Sequence, residues 1–128
     1  MADDDITRGS PDVVFQFDHD TSAPSAARRA LAGIVDSNSF GDDVNAVASE
    51  MVSNVVRHTE DGGRMDAWDG DPFRVEVSDT SSALPVTVPA TGQGGRGLRI
   101  IDALSSDWGA ELRVDGKVVW AELERPSE

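Results

Sequence analysis

Apolar positions change their spacing several times along this chain, and each change predicts an element. In "DVVFQFD", residues 12–18, Val13, Phe15 and Phe17 alternate with other positions, and the β-branched and aromatic content predicts a strand. "TSAPSAARRALAGIVDSN" then reads as a helix over about residues 24–36, with Ser22 or Ser25 placed to cap it and Pro24 tolerated in the first turn. In "GDDVNAVASEMVSNVVRHT" a longer helix starts at Asp42 or Asp43. Its Val44, Val47, Ala48, Met51, Val52, Val55 and Val56 form one apolar stripe. "RMDAWDGDPFRVEVSD" gives a short strand, a turn near residues 69–72 and a stronger strand, in which Phe73, Val75 and Val77 alternate with Arg74, Glu76 and Ser78. A linker with two prolines and many small residues follows. A helix over about residues 98–105 and a hairpin with its turn at Asp115 and Gly116 complete the pattern.

Helices and antiparallel strands in this order predict an α+β fold: a two-layer sandwich with a mostly antiparallel sheet and helices on one face. The 128 residues, 38% of them hydrophobic, suffice for one core of ordinary size. One domain over residues 12–124 is expected, between an acidic, frayed tail at 1–11 and a short tail at 125–128. No internal repeat is visible.

Charge and composition narrow the chemistry. With 24 acidic against 11 basic side chains and a net charge of −13, the chain is not suited to general attraction to nucleic acid or to an anionic membrane surface. Cysteine is absent, which excludes disulfides, thiolate metal sites and thiol nucleophiles. His19 and His58, half a chain apart, do not suggest a histidine-rich metal site, so a divalent ion would need oxygen ligands. The amino-terminal stretch lacks the basic-then-apolar order of a secretory signal and no apolar run spans a bilayer, so a cytoplasmic location is expected.

Opposite the apolar stripe of the long helix lie Glu50, Asn54, Arg57 and His58, aligned by spacings of three and four. Such a face is ordinarily only solvated. A carboxylate one turn from an amide oxygen also lets one group take a proton while the other ligates a magnesium ion carried in on a phosphate. Asp79 ends a strand, where an aspartate commonly makes a turn; it can equally accept a bond from the exocyclic amino group of adenine. Gly92, Gly94, Gly95 and Gly97 precede a helix start, which suits either a flexible loop or a backbone cradle for phosphates. On the second reading the stretch from Asp79 to Gly94 is a lid stiffened by Pro85 and Pro89. Arg96 either meets a phosphate or faces solvent. Trp68, Trp108 and Trp120 are expected in the sheet and core, and Arg28 and Arg29 as solvated charges.

Taken in order, "ExxxNxxxH" at Glu50, Asn54 and His58, "VSDTS" at a strand end, and "GGRGLRIIDALSSDWG" opening a helix resemble the N, G1 and G2 boxes of the GHKL nucleotide-binding superfamily. The chain is most similar to its small single-domain branch, the anti-sigma factor serine/threonine kinases and related actinobacterial ATP-binding regulators, from roughly Val13 to Leu123. The resemblance implies a Bergerat-type pocket for ATP and Mg2+. Glu50 would be the general base, Asn54 the magnesium ligand and Asp79 the adenine reader; Gly94, Gly95, Arg96, Gly97 and Leu98 would approach the phosphates. It also implies kinase activity toward a serine or threonine of a STAS-type anti-sigma antagonist, sequestration of a sigma factor, a role in transcription regulation without direct nucleic-acid contact, and a homodimer like the dimeric relatives. Two regions depart from the pattern. Ser81 stands where the G1 box has glycine, and Val118, Val119 and Trp120 occupy the region of the last hairpin where the superfamily often supplies a threonine hydroxyl near the adenine aspartate. The alternative those departures allow is a non-catalytic nucleotide- or partner-binding module on the same fold.

Overall fold

A computed structural model describes residues 8–80 and 96–127. Among these, β1 (Val13–Phe17), α1 (Ala23–Leu31), α2 (Ser39–His58), β2 (Gly63–Trp68), β3 (Phe73–Asp79), α3 (Arg96–Leu104), β4 (Asp107–Arg113) and β5 (Gly116–Leu123) follow one another. The strands form one antiparallel sheet in the order β1-β2-β3-β5-β4. The expected α+β two-layer sandwich is therefore the observed architecture.

Alternation on β3 decides which face is covered. Phe73, Val75, Val77 and Asp79 are buried, and the register sets them beside Leu123, Ala121, Val119 and Lys117 of β5. Met65 and Ala67 continue this face on β2. Ala27 and Leu31 of α1, Val44, Val47, Ala48, Met51, Val52 and Val55 of α2, and Leu98 and Ile101 of α3 close over it in a single core. The apolar stripe read from the long helix thus packs as expected, except that Val56 lies at the margin of the core.

The opposite face carries long polar side chains laid flat against the sheet. Arg74 donates to Glu76 at 2.9 Å and to Glu122 at 2.7 Å, and its guanidinium lies 4.6 Å from the centroid of the Trp120 ring. A Cβ at Gly109 would meet that indole at 2.9 Å, so the glycine lets the ring lie over β4. Trp68 is on this face too, donating its indole N–H to the Gly9 carbonyl at 3.0 Å under the Arg8 guanidinium. All three tryptophans lie in strands, as expected, and of the three only Trp108 also packs against the core. Residues assigned to loose tails also make contacts: Arg8 pairs with Glu76, and Arg125 pairs with Asp69 and lies over the Phe40 and Phe73 rings.

Helix ends differ from the expected bounds for local reasons. The long helix begins at Ser39, ahead of Asp42, because the Asn38 side chain accepts from the Gly41 backbone N–H at 2.8 Å. A Cβ at Gly41 would overlap the Asp36 carbonyl oxygen, so the glycine also permits the tight entry. Asn38→Ala is expected to lower stability by about 1 kcal/mol, seen as a lower urea midpoint at unchanged slope. α1 stops at Leu31, where the chain turns, short of the expected residue 36. Ser22 stands at its N-cap without a capping side-chain bond. Asp20 organises this start, accepting from the Ser22 N–H at 2.8 Å and the Ser22 hydroxyl at 2.9 Å. The backbone bond first, and then the hydroxyl, hold the Asp20 carboxyl below its ordinary value. Its contribution to stability is present at neutral pH and is lost as pH falls through that lowered value.

Candidate functional site

The β4–β5 turn brings together residues that the sequence keeps far apart. It occupies Val114 and Asp115, one position before the expected Asp115–Gly116 pair, since Arg113 pairs with Gly116. Gly116 has φ +154°, and a Cβ there would overlap the Asp79 carbonyl oxygen. The hairpin can therefore close directly against the end of β3 only with glycine at this position. The same register sets Lys117 beside Asp79.

Asp79 and Lys117 form a buried ion pair. Lys117 Nζ donates to Asp79 Oδ2 at 2.8 Å, and the two side chains are 9% and 1% exposed. A buried carboxylate and ammonium are tolerated only when each is compensated, which the short bond provides. Lys117 directly precedes Val118, Val119 and Trp120, the positions that offer no hydroxyl. Reading of the sequence missed Lys117, although a signal exists. Leu123, Ala121 and Val119 set an inward phase on which position 117 is charged, as Asp79 is on the inward phase of β3.

The apolar stripe of α2 packs in the core, and its polar face carries the other candidate residues. Glu50 and Asn54 are partly buried and one turn apart, as expected from their spacing. Asn54 is engaged: Arg57 donates through Nη2 to its Oδ1 at 2.6 Å and through Nη1 to Ser53 Oγ at 2.6 Å. His58 closes the helix in an exposed position, with Thr59 as the C-cap. α3 opens at Arg96 and buries Leu98, which is 7% exposed, so Leu98 anchors the helix to the core. Gly97 lies in the first turn of α3. Ser81, Pro85, Pro89, Gly92, Gly94 and Gly95, and with them the lid, fall outside the described residues.

Asp79 lines two open recesses at this end of the sheet. One is shared with Arg64, Arg113 and Lys117, the other with Phe17, Gly62 and Thr80. Neither recess is lined by Glu50 or Asn54, so these two cavities do not join the α2 face to the strand end. Among the described residues no group of three or more histidine, cysteine, aspartate or glutamate side chains could hold a metal ion. Nor is any described helix long and apolar enough to cross a membrane.

No family model matches the chain, and no curated protein matches it. Among solved structures it is similar to the histidine kinase domain from the blue-light activated histidine kinase of Erythrobacter litoralis EL346. That match is 20% identical with a TM-score of 0.47, and covers 66% of this chain and 44% of that one. The chain therefore spans less than half the length of that neighbour.

Proposed function

We propose that this chain binds ATP between α2, the end of β3 and the start of α3, and that it is a serine/threonine kinase of the anti-sigma factor type. In this reading it transfers a phosphoryl group to an anti-sigma antagonist and sequesters a sigma factor. The observation that carries the reading is a buried carboxylate at Asp79, ending β3 on the helix-covered side of the sheet. On that side α2 carries Glu50 and Asn54 one turn apart, and α3 opens directly after the glycine run.

The residues suit the nucleotide and its ion. Asp79 offers an acceptor to an exocyclic amino group, and the Asn54 amide oxygen is the kind of ligand a hard cation takes. With no acidic triad among the described residues, a magnesium ion would be held by Asn54 and by the phosphates that carry it. Bound there, it would offset phosphate charge. Glu50 would accept the proton of the partner's hydroxyl as that oxygen forms its bond to the γ-phosphorus and the bond to the ADP oxygen breaks. Backbone N–H groups at the start of α3 would face phosphate oxygens, as unpaired donors of a helix start favour.

Transfer of label from γ-labelled ATP to a serine-bearing STAS-type antagonist tests this assignment. Glu50→Ala is expected to lower the rate about 100-fold or more while nucleotide binding persists. Unchanged transfer would remove Glu50 from the role of base.

One observation favours a second reading, a nucleotide- or partner-binding module without phosphoryl transfer: Arg57 already holds the Asn54 oxygen at 2.6 Å. Arg57→Ala separates the two. If Asn54 serves magnesium, freeing its oxygen strengthens magnesium-dependent ATP binding severalfold. If Arg57 itself neutralises phosphate, the same change weakens binding with or without magnesium.

A further inference from the structure

We infer that Lys117 is a specificity-determining residue of this same site. Its ammonium, held beside Asp79, donates to the ring-nitrogen acceptor adjacent to the base's amino group, so that the ion pair reads both atoms of the adenine edge. The inference rests on the nucleotide reading above. A lysine ammonium has three N–H donors. One is given to Asp79 Oδ2 at 2.8 Å, in a pair whose side chains are 9% and 1% exposed. Adenine presents a donor, its 6-amino group, next to an acceptor, N1. Asp79 and Lys117 present the complement, an acceptor next to a donor.

Two features make Lys117 more than a counter-ion. Lys117 stands on the inward phase of β5, directly opposite Asp79, so it shares the face of the sheet on which the base would be read. The position is also enclosed: Lys117 is buried, and it directly follows Gly116, where a Cβ would overlap the Asp79 carbonyl oxygen. A donor so placed lacks the freedom of a surface lysine to turn away into water. Replacing N1 of the base by a C–H would leave the buried ammonium facing a group that cannot accept, a loss specific to that atom.

The test compares ATP with 1-deaza-ATP, which keeps the amino group and lacks the N1 acceptor, by equilibrium titration of the intact protein. The wild type is expected to bind ATP at least about tenfold more tightly than the analogue, as for a bond to a charged donor. Lys117→Met is expected to weaken ATP binding and to erase the difference between the two nucleotides, whereas Lys117→Arg keeps part of it. A purely structural role would leave the ratio of the two affinities unchanged in Lys117→Met. Should Lys117→Met fail to fold, the wild-type comparison still decides. Equal wild-type affinities, alongside weaker ATP binding by Asp79→Asn, would overturn the role of Lys117 and leave the nucleotide site standing. Binding of neither nucleotide would overturn both.

Discussion

Asp79→Ala is expected to destabilise the protein by about 3–5 kcal/mol, the cost of leaving one member of a buried ion pair without its partner. Lys117 Nζ would lose the carboxylate it contacts at 2.8 Å while remaining in a site where its side chain is 9% exposed. Asp79→Ala combined with Lys117→Met removes both charges, and it should lose much less than the two single changes added together. The coupling between neighbours of this kind is up to about 3 kcal/mol. Urea unfolding of the wild type, both single variants and the double variant measures it. Additive losses would mean that the pair contributes little as a pair. Asp79→Asn keeps an acceptor oxygen toward Lys117 and should be milder, which makes it the better variant for binding work.

Gly116→Val is expected to be worse tolerated than any substitution on the exposed face of β4. Its φ of +154° is one that side-chain-bearing residues rarely adopt, and a Cβ would overlap the Asp79 carbonyl oxygen, which is backbone and cannot rotate away. Strain and overpacking each cost about 1–3 kcal/mol. Together they should lower the melting temperature on the order of 15 °C in a domain of this size. Thermal unfolding followed by circular dichroism reads this directly, and a shift of only a degree or two would show that the hairpin can move off β3. Both predictions concern one corner of the molecule, where β3, β5 and the connecting turn meet.

Much of this architecture was legible because it is written in local periods. The α2 stripe has a helical spacing that only one face can bury, and the alternation of Phe73, Val75 and Val77 names the inner face of β3 without reference to any other strand. Element ends were less legible, since they depend on single contacts. Asn38 capping Gly41 lengthens α2 by a turn, and no hydrophobic pattern contains that bond. The register between β3 and β5 was not legible from hydrophobicity, because 36 residues separate Asp79 from Gly116 and the pairing of distant strands is a tertiary choice. As a result Asp79 was singled out and Lys117 was not. The engagement of Asn54 by Arg57 follows from ordinary helix spacing and could have been anticipated. The spacing that aligns Asn54 with Glu50 also places an arginine three positions on.

The net charge of −13 bears on the same corner. A polyanionic nucleotide must approach an acidic protein, so local cations matter more than the overall balance. Lys117, Arg57, Arg64 and Arg113 are four of only 11 basic residues in the chain. Of these, Lys117, Arg64 and Arg113 line one recess with Asp66, Glu76, Asp79 and Asp115, so that recess has four carboxylates to three cations and does not itself attract a polyanion.

The central claim is that the end of β3 and the polar face of α2 together hold a nucleotide. Calorimetric titration with ATP, with and without magnesium, tests it most directly when the wild type is run beside Asp79→Asn and Asn54→Ala. The account predicts magnesium-dependent binding by the wild type that both substitutions weaken. No heat, and no displacement of a fluorescent ATP analogue by excess ATP, would contradict it and leave protein contacts as the chain's means of action.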